Sequence, residues 1–86
     1  MDEHIVYVLY SNHFDRLYCG VTSDLIDRFR SHNSLATKGW TRSYRPWIVI
    51  HVEVYMTRSE ALRRENVIKS GKGREWIRKH VLPNYM

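Results

Sequence analysis

Two tyrosines, an arginine and a histidine recur at intervals that let them share one patch. Tyr7 and Tyr18 each sit at the heart of a short apolar run, and Arg28 and His32 lie four residues apart in the helix-like pattern that follows. Phenols donate and accept hydrogen bonds, a guanidinium is a permanent cation suited to anions, and an imidazole titrates near neutrality. The four could converge on one patch. A fifth residue stands out further on. In the segment EALRRENVIK, Glu65 occupies the middle of the arc flanked by Leu62 and Ile68, with Lys69 on the same side. A carboxylate in an apolar stripe marks either an ion pair or a functional group. The Glu65–Lys69 pair at i, i+4 contributes only about 0.3–0.5 kcal/mol at a surface, so it accounts for Glu65 only if the stripe is exposed there.

The elements that must position these side chains follow from local pattern. Residues 1–4 form a short arm. Residues 5–10 set Ile5, Tyr7 and Leu9 against Val6, Val8 and Tyr10, both sets largely apolar, which predicts a strand covered on both faces. The polar segment 11–16, with Asn12 and Asp15, predicts a hairpin to a second strand over residues 17–21. Gly20 and Thr22-Ser23-Asp24 close that strand and cap a helix over about 24–34, with Leu25, Ile26 and Phe29 as its apolar face. Residues 35–45 read as a loop in which Trp40 and Tyr44 are interleaved with Lys38, Arg42 and Arg45, a pattern that suits stacking on bases or folding over the core edge. Pro46 permits an edge start for a third strand over 47–55. Its Ile48, Ile50, Val52 and Val54 are expected to pack on the helices, with Trp47, Val49, His51, Glu53 and Tyr55 opposite. Thr57-Arg58-Ser59-Glu60 is a capping box, with Met56 and Ala61 placed as a hydrophobic staple. The helix it opens runs to about Ser70, where Gly71 and Gly73 break it, and a third helix over 74–81 buries Trp76, Ile77 and Val81 before Pro83. The order ββαβαα predicts an α+β fold, a small three-stranded antiparallel sheet flanked by three helices.

Composition restricts the function classes. With 86 residues, 43% of them hydrophobic and 13% aromatic, the chain is expected to be a single folded domain over 1–86, without repeats or low-complexity tracts. The start MDEH does not resemble a signal peptide, and no apolar run reaches membrane-spanning length, so a cytoplasmic location is expected. Cys19 is the single cysteine, which excludes an internal disulfide and favours a small buried apolar group. His4, His13, His51 and His80 show no metal-ligand spacing. The net charge of +5 is segregated: residues 1–57 carry six Lys or Arg against six Asp or Glu, residues 58–86 carry eight against three. A basic C-terminal third is either a solvated helical face or the footprint of a polyanion partner.

Taken together, Tyr7, Tyr18-Cys19-Gly20, GVTSDLIDRFRSHN with Arg28 and His32, and EALRRENVIK with Glu65 resemble the GIY-YIG endonuclease domain. The likeness is to its small standalone bacterial form and to the catalytic domain of the excision-repair nuclease subunit, over about residues 4–80. Ile5-Val6 replaces Gly-Ile before the first tyrosine, Cys19 replaces an aliphatic residue, and Trp76, Ile77 and Arg78 stand where many members carry a polar residue, often asparagine. The resemblance implies an endonuclease hydrolysing phosphodiester bonds in DNA with one Mg²⁺ or Mn²⁺ ion and no small-molecule cofactor. It would have structure preference or low sequence specificity, act in DNA repair or recombination, and be guided in some cases by a recruiting protein. Carried over by position, Glu65 holds the metal, Arg28 stabilises charge on the scissile phosphate, Tyr7 and Tyr18 position or deprotonate the attacking water, and His32 orients a tyrosine or touches phosphate. Lys38, Trp40, Arg42, Lys69, Lys72 and Arg74 are the expected nucleic-acid contacts. The competing readings are a non-catalytic nucleic-acid-binding module that keeps the fold, and a structural adaptor that binds a protein through its aromatic loop.

Overall fold

The computed structural model describes residues 3–33 and 43–86. Among these, three strands form one antiparallel sheet: β1 (His4–Ser11), β2 (Arg16–Thr22) and β3 (Ile48–Tyr55), in the order β2-β1-β3. β1 pairs with both neighbours, Tyr7 facing Gly20 on one side and Val52 on the other. This central place explains its two apolar faces. Val6, Val8 and Tyr10 point to one side of the sheet and Tyr7 and Leu9 to the other, all buried. The hairpin turn between β1 and β2 is tightened at Asp15, whose φ of 52° is an αL conformation that aspartate tolerates.

Helix α1 (Leu25–Asn33) covers the Tyr7 and Leu9 side, and α2 (Arg58–Lys69) with α3 (Gly71–Trp76) covers the other. α3 continues as a π-helical turn over Ile77–Val81 and a 3₁₀ turn over Leu82–Tyr85. The sheet therefore lies between two unequal helical layers. On the α2 side Val6, Val8, Cys19, Ile50, Ala61, Ile68 and Ile77 make the larger core, and on the α1 side Tyr7, Leu9 and Trp47 pack with Tyr18, Leu25 and Phe29. Each fully buried aliphatic side chain contributes about 1.5–3 kcal/mol of transfer free energy.

Five local expectations are corrected. The β3 face named from alternation is interrupted, because Val8 pairs with His51 and Leu9 with Val49, so the ladder skips Ile50 as a bulge. Ile50 thereby enters the α2-side core while Val52 and Val54 are left 40% and 53% exposed. Helices α2 and α3 pack on the His51, Glu53 and Tyr55 side, and Arg64 of α2 supplies the cation that lets Glu53 sit there. The hydrophobic staple is absent, since Met56 is exposed, although the cap itself forms: Thr57 Oγ1 accepts from the Glu60 backbone N–H at 3.2 Å. Ile26 of α1 is 68% exposed, and the buried side of that helix is completed by His32. Gly71 and Gly73 do not break the chain into coil. Ser70 ends α2 and caps α3 through its hydroxyl, so the third helix begins three residues earlier than expected. Gly73 sits against the backbone of Val67 and Ile68, where a Cβ has no room. Trp76 remains 39% exposed, turned away from the core toward His51 and Arg64.

Candidate active site

Tyr7 reaches the site because its partner across the hairpin has no side chain. A Cβ on Gly20 would lie 2.5 Å from Tyr7 Oη and 2.7 Å from Cζ, so the phenol crosses the space that only glycine leaves open. The tyrosine-x-glycine pattern in β2 thus has a steric origin. Tyr18, one diagonal step along the same face, places its ring centroid 6.1 Å from that of Tyr7.

Asp24 opens α1 by accepting the Asp27 backbone N–H on Oδ1 at 3.1 Å. The helix lies over the two rings, and its i, i+4 pair divides the work: Arg28 is exposed, whereas His32 is 6% exposed. His32 Nε2 is 3.0 Å from Tyr7 Oη, and the imidazole centroid is 4.6 Å from the Tyr18 ring. Its Nδ1 is buried with no hydrogen-bonding partner among the described residues. Burial, and secondarily the Arg28 charge, hold the His32 pKa below the ordinary value, so the ring is neutral at pH 7. Burial also pushes the Tyr7 phenol well above its ordinary range, helped by the Tyr18 phenol, while the nearby Arg28 guanidinium pulls the other way. Desolvation wins, and Tyr7 is a neutral hydroxyl.

The C-terminal end of α1 is held by a residue the sequence reading passed over. Asn33 accepts the Trp47 N–H at 2.6 Å and donates to the Trp47 carbonyl at 3.0 Å. Arg45 Nε adds a bond to the His32 carbonyl at 3.1 Å. The only signal in the sequence was a polar residue at a helix end, which is indistinguishable from a cap.

Glu65 lies on the sheet-facing side of α2 between Ala61 and Ile68, with its side chain 15% exposed. Lys69 Nζ approaches Glu65 Oε2 at 3.3 Å from the solvent side, being 52% exposed. Glu65 lines a cavity of about 380 Å³ together with Arg28, Arg58, Thr22 and His4. Arg28 is therefore common to both halves: its charge is felt by Tyr7, and it lines the same cavity as Glu65. Arg58, the first residue of α2, is a second guanidinium at this cavity that the sequence reading did not single out.

Residues 3–79 match the family of the GIY-YIG catalytic domain. The chain belongs to that family. Its members are nucleases, and relatives that match this chain carry the designation UPF0213. A UPF0213 protein of Haloquadratum walsbyi is 41% identical over 69 residues, covering 80% of this chain and 76% of that one. A UPF0213 protein of Staphylococcus epidermidis is 39% identical over 70 residues, covering 81% and 84%. The solution NMR structure of the UPF0213 protein BH0048 from Bacillus halodurans superposes with a TM-score of 0.53 at 25% identity, over 87% of this chain and 81% of that one. The GIY-YIG fold, an α+β sheet of three antiparallel strands with three helices, is thus shared.

Of the residues expected at the site, Tyr7, Tyr18, Arg28 and His32 are brought together, and Glu65 joins them through the cavity that it shares with Arg28. Lys69 and Arg74 line a neighbouring cavity beside β2. Lys72 lies apart, against Trp76 and Asn66 on the outer side of α2 and α3. Lys38, Trp40 and Arg42 fall outside the described residues. Cys19 is a buried free thiol pushed up to about 12, chiefly by burial, and serves as core. No helix among the described residues is long and apolar enough to cross a membrane.

Proposed function

We propose that this protein is a divalent-metal-dependent DNA endonuclease of structure preference or low sequence specificity, acting in DNA repair or recombination. The observation that carries the reading is Arg28, one guanidinium whose charge acts on the Tyr7 phenol and which opens with Glu65 onto one cavity.

The donor set suits a hard cation. Glu65 offers carboxylate oxygens into a cavity with room for water, and among the described residues no group of three or more His, Cys, Asp or Glu surrounds it. Mg²⁺ and Mn²⁺ are commonly held in this way, by one or two carboxylates with water and substrate phosphate. Glu65 would hold the ion, which supplies positive charge to the leaving oxygen and a non-bridging oxygen of the phosphate.

The chain's own groups divide the remaining tasks. Arg28 and Arg58 bring two permanent positive charges to the cavity that receives the phosphate, and Arg28 meets charge that grows on the phosphoryl oxygens during the reaction. Tyr7, kept neutral by burial, presents a hydroxyl that orients the attacking water. Neutral His32 beside it holds that hydroxyl in place and accepts a hydrogen bond or proton at Nε2. Tyr18 packs on the imidazole and fixes its plane.

The test is nicking of supercoiled plasmid by purified protein with and without Mg²⁺ or Mn²⁺, alongside Glu65→Gln and Arg28→Ala. Metal-dependent nicking by the wild type and none by the folded variants supports the assignment. Equal inactivity on plasmid, linear and branched DNA, with binding retained, transfers the protein to the class of non-catalytic binding modules.

A further inference from the structure

Resting on the nuclease reading, we propose that a DNA strand leaving the Arg28–Glu65 cavity runs along the edge strand β2 and is held at its far end by a phosphate site formed by Arg16, Arg74 and Arg78. Asp15 acts there as a built-in competitor for the phosphate.

Strand order leaves one side of β2 without a strand neighbour in the described sheet. Beside it lie three cavities in succession. The first, of about 380 Å³, holds Thr22 at the C-terminal end of β2 with Arg28, Arg58 and Glu65. The second, of about 320 Å³, holds Leu17, Tyr18 and Cys19 with Lys69 and Arg74. The third, of about 280 Å³, holds Arg16 and Asp15 at the N-terminal end of β2 with Arg74, Arg78 and Tyr44. The Glu65–Lys69 ion pair joins the first to the second, and Arg74 belongs to both the second and the third. From Thr22 to Arg16 the track is about 20 Å at the usual strand rise of about 3.3 Å per residue. An extended single strand spaces its phosphates about twice as far apart as the roughly 3.4 Å per strand of a duplex, so about three phosphates span it.

The charges alternate with an apolar stretch in a way that fits a polynucleotide. Cations flank the middle cavity, whose floor is the buried Val8, Ile68 and Ile77 and whose accessible apolar side is the half-buried Leu17, a surface suited to the edge of a base rather than to phosphate. At the far end three arginines, Arg16, Arg74 and Arg78, line one cavity. Arg78 donates to Asp15 Oδ1 at 2.7 Å and to the Asp15 carbonyl at 3.2 Å, and Arg16 stacks over Tyr44 at 5.2 Å. Asp15 is itself 66% exposed at its side chain, and its carboxyl is held below the usual range by Arg78 first and the Tyr10 hydroxyl second. A carboxylate on a guanidinium occupies the place that a phosphate oxygen would take.

The experiment is fluorescence anisotropy with labelled single-stranded DNA of 2 and 15 nucleotides in chelator, where no cleavage proceeds, over a salt series. Three forms are compared with the wild type: Arg16→Ala/Arg74→Ala, the charge-matched control Arg63→Ala/Lys79→Ala, whose residues line none of the three cavities, and Asp15→Asn. With the longer strand the first form is expected to bind about tenfold more weakly, its log–log salt slope reduced by about 1.4 for two lost phosphate contacts. The control should lose less than a third as much, and the dinucleotide should not distinguish the forms. Asn tolerates the positive φ at position 15, so Asp15→Asn should fold and bind several-fold tighter. Equal losses in both double variants, or no gain in Asp15→Asn, overturn the proposal. Plasmid nicking by the wild type is scored in parallel. Nicking with arginine-independent binding rejects the track alone, whereas arginine-dependent binding without nicking rejects hydrolysis alone.

Discussion

Tyr7 Oη and His32 Nε2 lie 3.0 Å apart across the interface of β1 and α1, with Gly20 beneath the phenol and Arg28 beside it. The two residues are 25 positions apart in the chain, and their contact makes a buried polar unit of two groups that are each neutral at pH 7. If that unit orients the nucleophile, His32→Ala should lower kcat about a hundredfold with little change in KM. Tyr7→Phe should lower it comparably, and the double variant should be no worse than the weaker single one, because the two act as a unit. Nicking rates of the three variants under saturating metal check this.

The position of Arg28 predicts a titration. His32 is held below pH 6.5 by burial and then by the Arg28 charge, so its neutral form is the one the fold favours. Its contribution to stability is full above pH 6.5 and is lost as pH falls below that value. Arg28→Ala removes one of the two causes and should raise the His32 midpoint toward 6.5, read by NMR of the imidazole protons. A midpoint that is unchanged, or falls, would contradict the placement of Arg28.

Gly20→Ala inserts a methyl 2.5 Å from Tyr7 Oη. The ring must move away from His32, because strand β2 is held by its ladder to β1. The expected cost is about 1–3 kcal/mol of stability, seen as a lower urea midpoint, with nicking falling far more than the unfolded fraction explains. The methyl also displaces Tyr7 from the Tyr18 ring, so near-ultraviolet circular dichroism should change.

Glu53 lies on the helix-facing side of β3, accepting Arg64 Nε at 2.8 Å, the Tyr55 hydroxyl at 2.6 Å and His51 Nε2 at 2.7 Å. Burial raises its pKa, but these bonds, that of Arg64 foremost, outweigh it and bring the carboxyl down to about 2. A depressed carboxylate contributes stability that is complete above about pH 4.5 and disappears as pH falls toward 2. Wild type should therefore lose stability across that window more steeply than Glu53→Gln, which should already be about 1–3 kcal/mol less stable at pH 7. Urea unfolding at pH 7, 4 and 2.5 decides it.

Lys69 is the cation next to Glu65, and it is the more exposed partner of the pair. Lys69→Ala should tighten Mn²⁺ binding to DNA-free protein about twofold, the scale of a surface i, i+4 pair. Calorimetry with Glu65→Gln as the blank measures it. A loss of affinity would mean that Lys69 positions the carboxylate rather than competing for it.

Much of this protein is written in local pattern. The double apolar alternation of residues 5–10 needs a central strand, Thr57 and Glu60 open α2, and the spacing of Arg28 and His32 puts both on one side of a helix. Glu65 was legible as a break in an apolar stripe, because burying a charge is costly without a compensating purpose. Other features required the folded chain. Alternation along residues 47–55 named the wrong helix-facing side, since the bulge at Ile50 is a property of pairing with β1, and the acceptance of Glu53 depends on Arg64 from another element. Ile26 and Trp76 are apolar yet largely exposed, because which side of a helix is covered depends on what packs there. The sequence by itself determined the elements, their order and the chemical types at the site, all short-range consequences of periodicity and capping. Only the tertiary structure decided that Gly20 yields its space to Tyr7, that Asn33 ties α1 to Trp47, and that Arg28 serves both Tyr7 and the Glu65 cavity. These depend on distances between residues far apart in the chain, which no local pattern encodes.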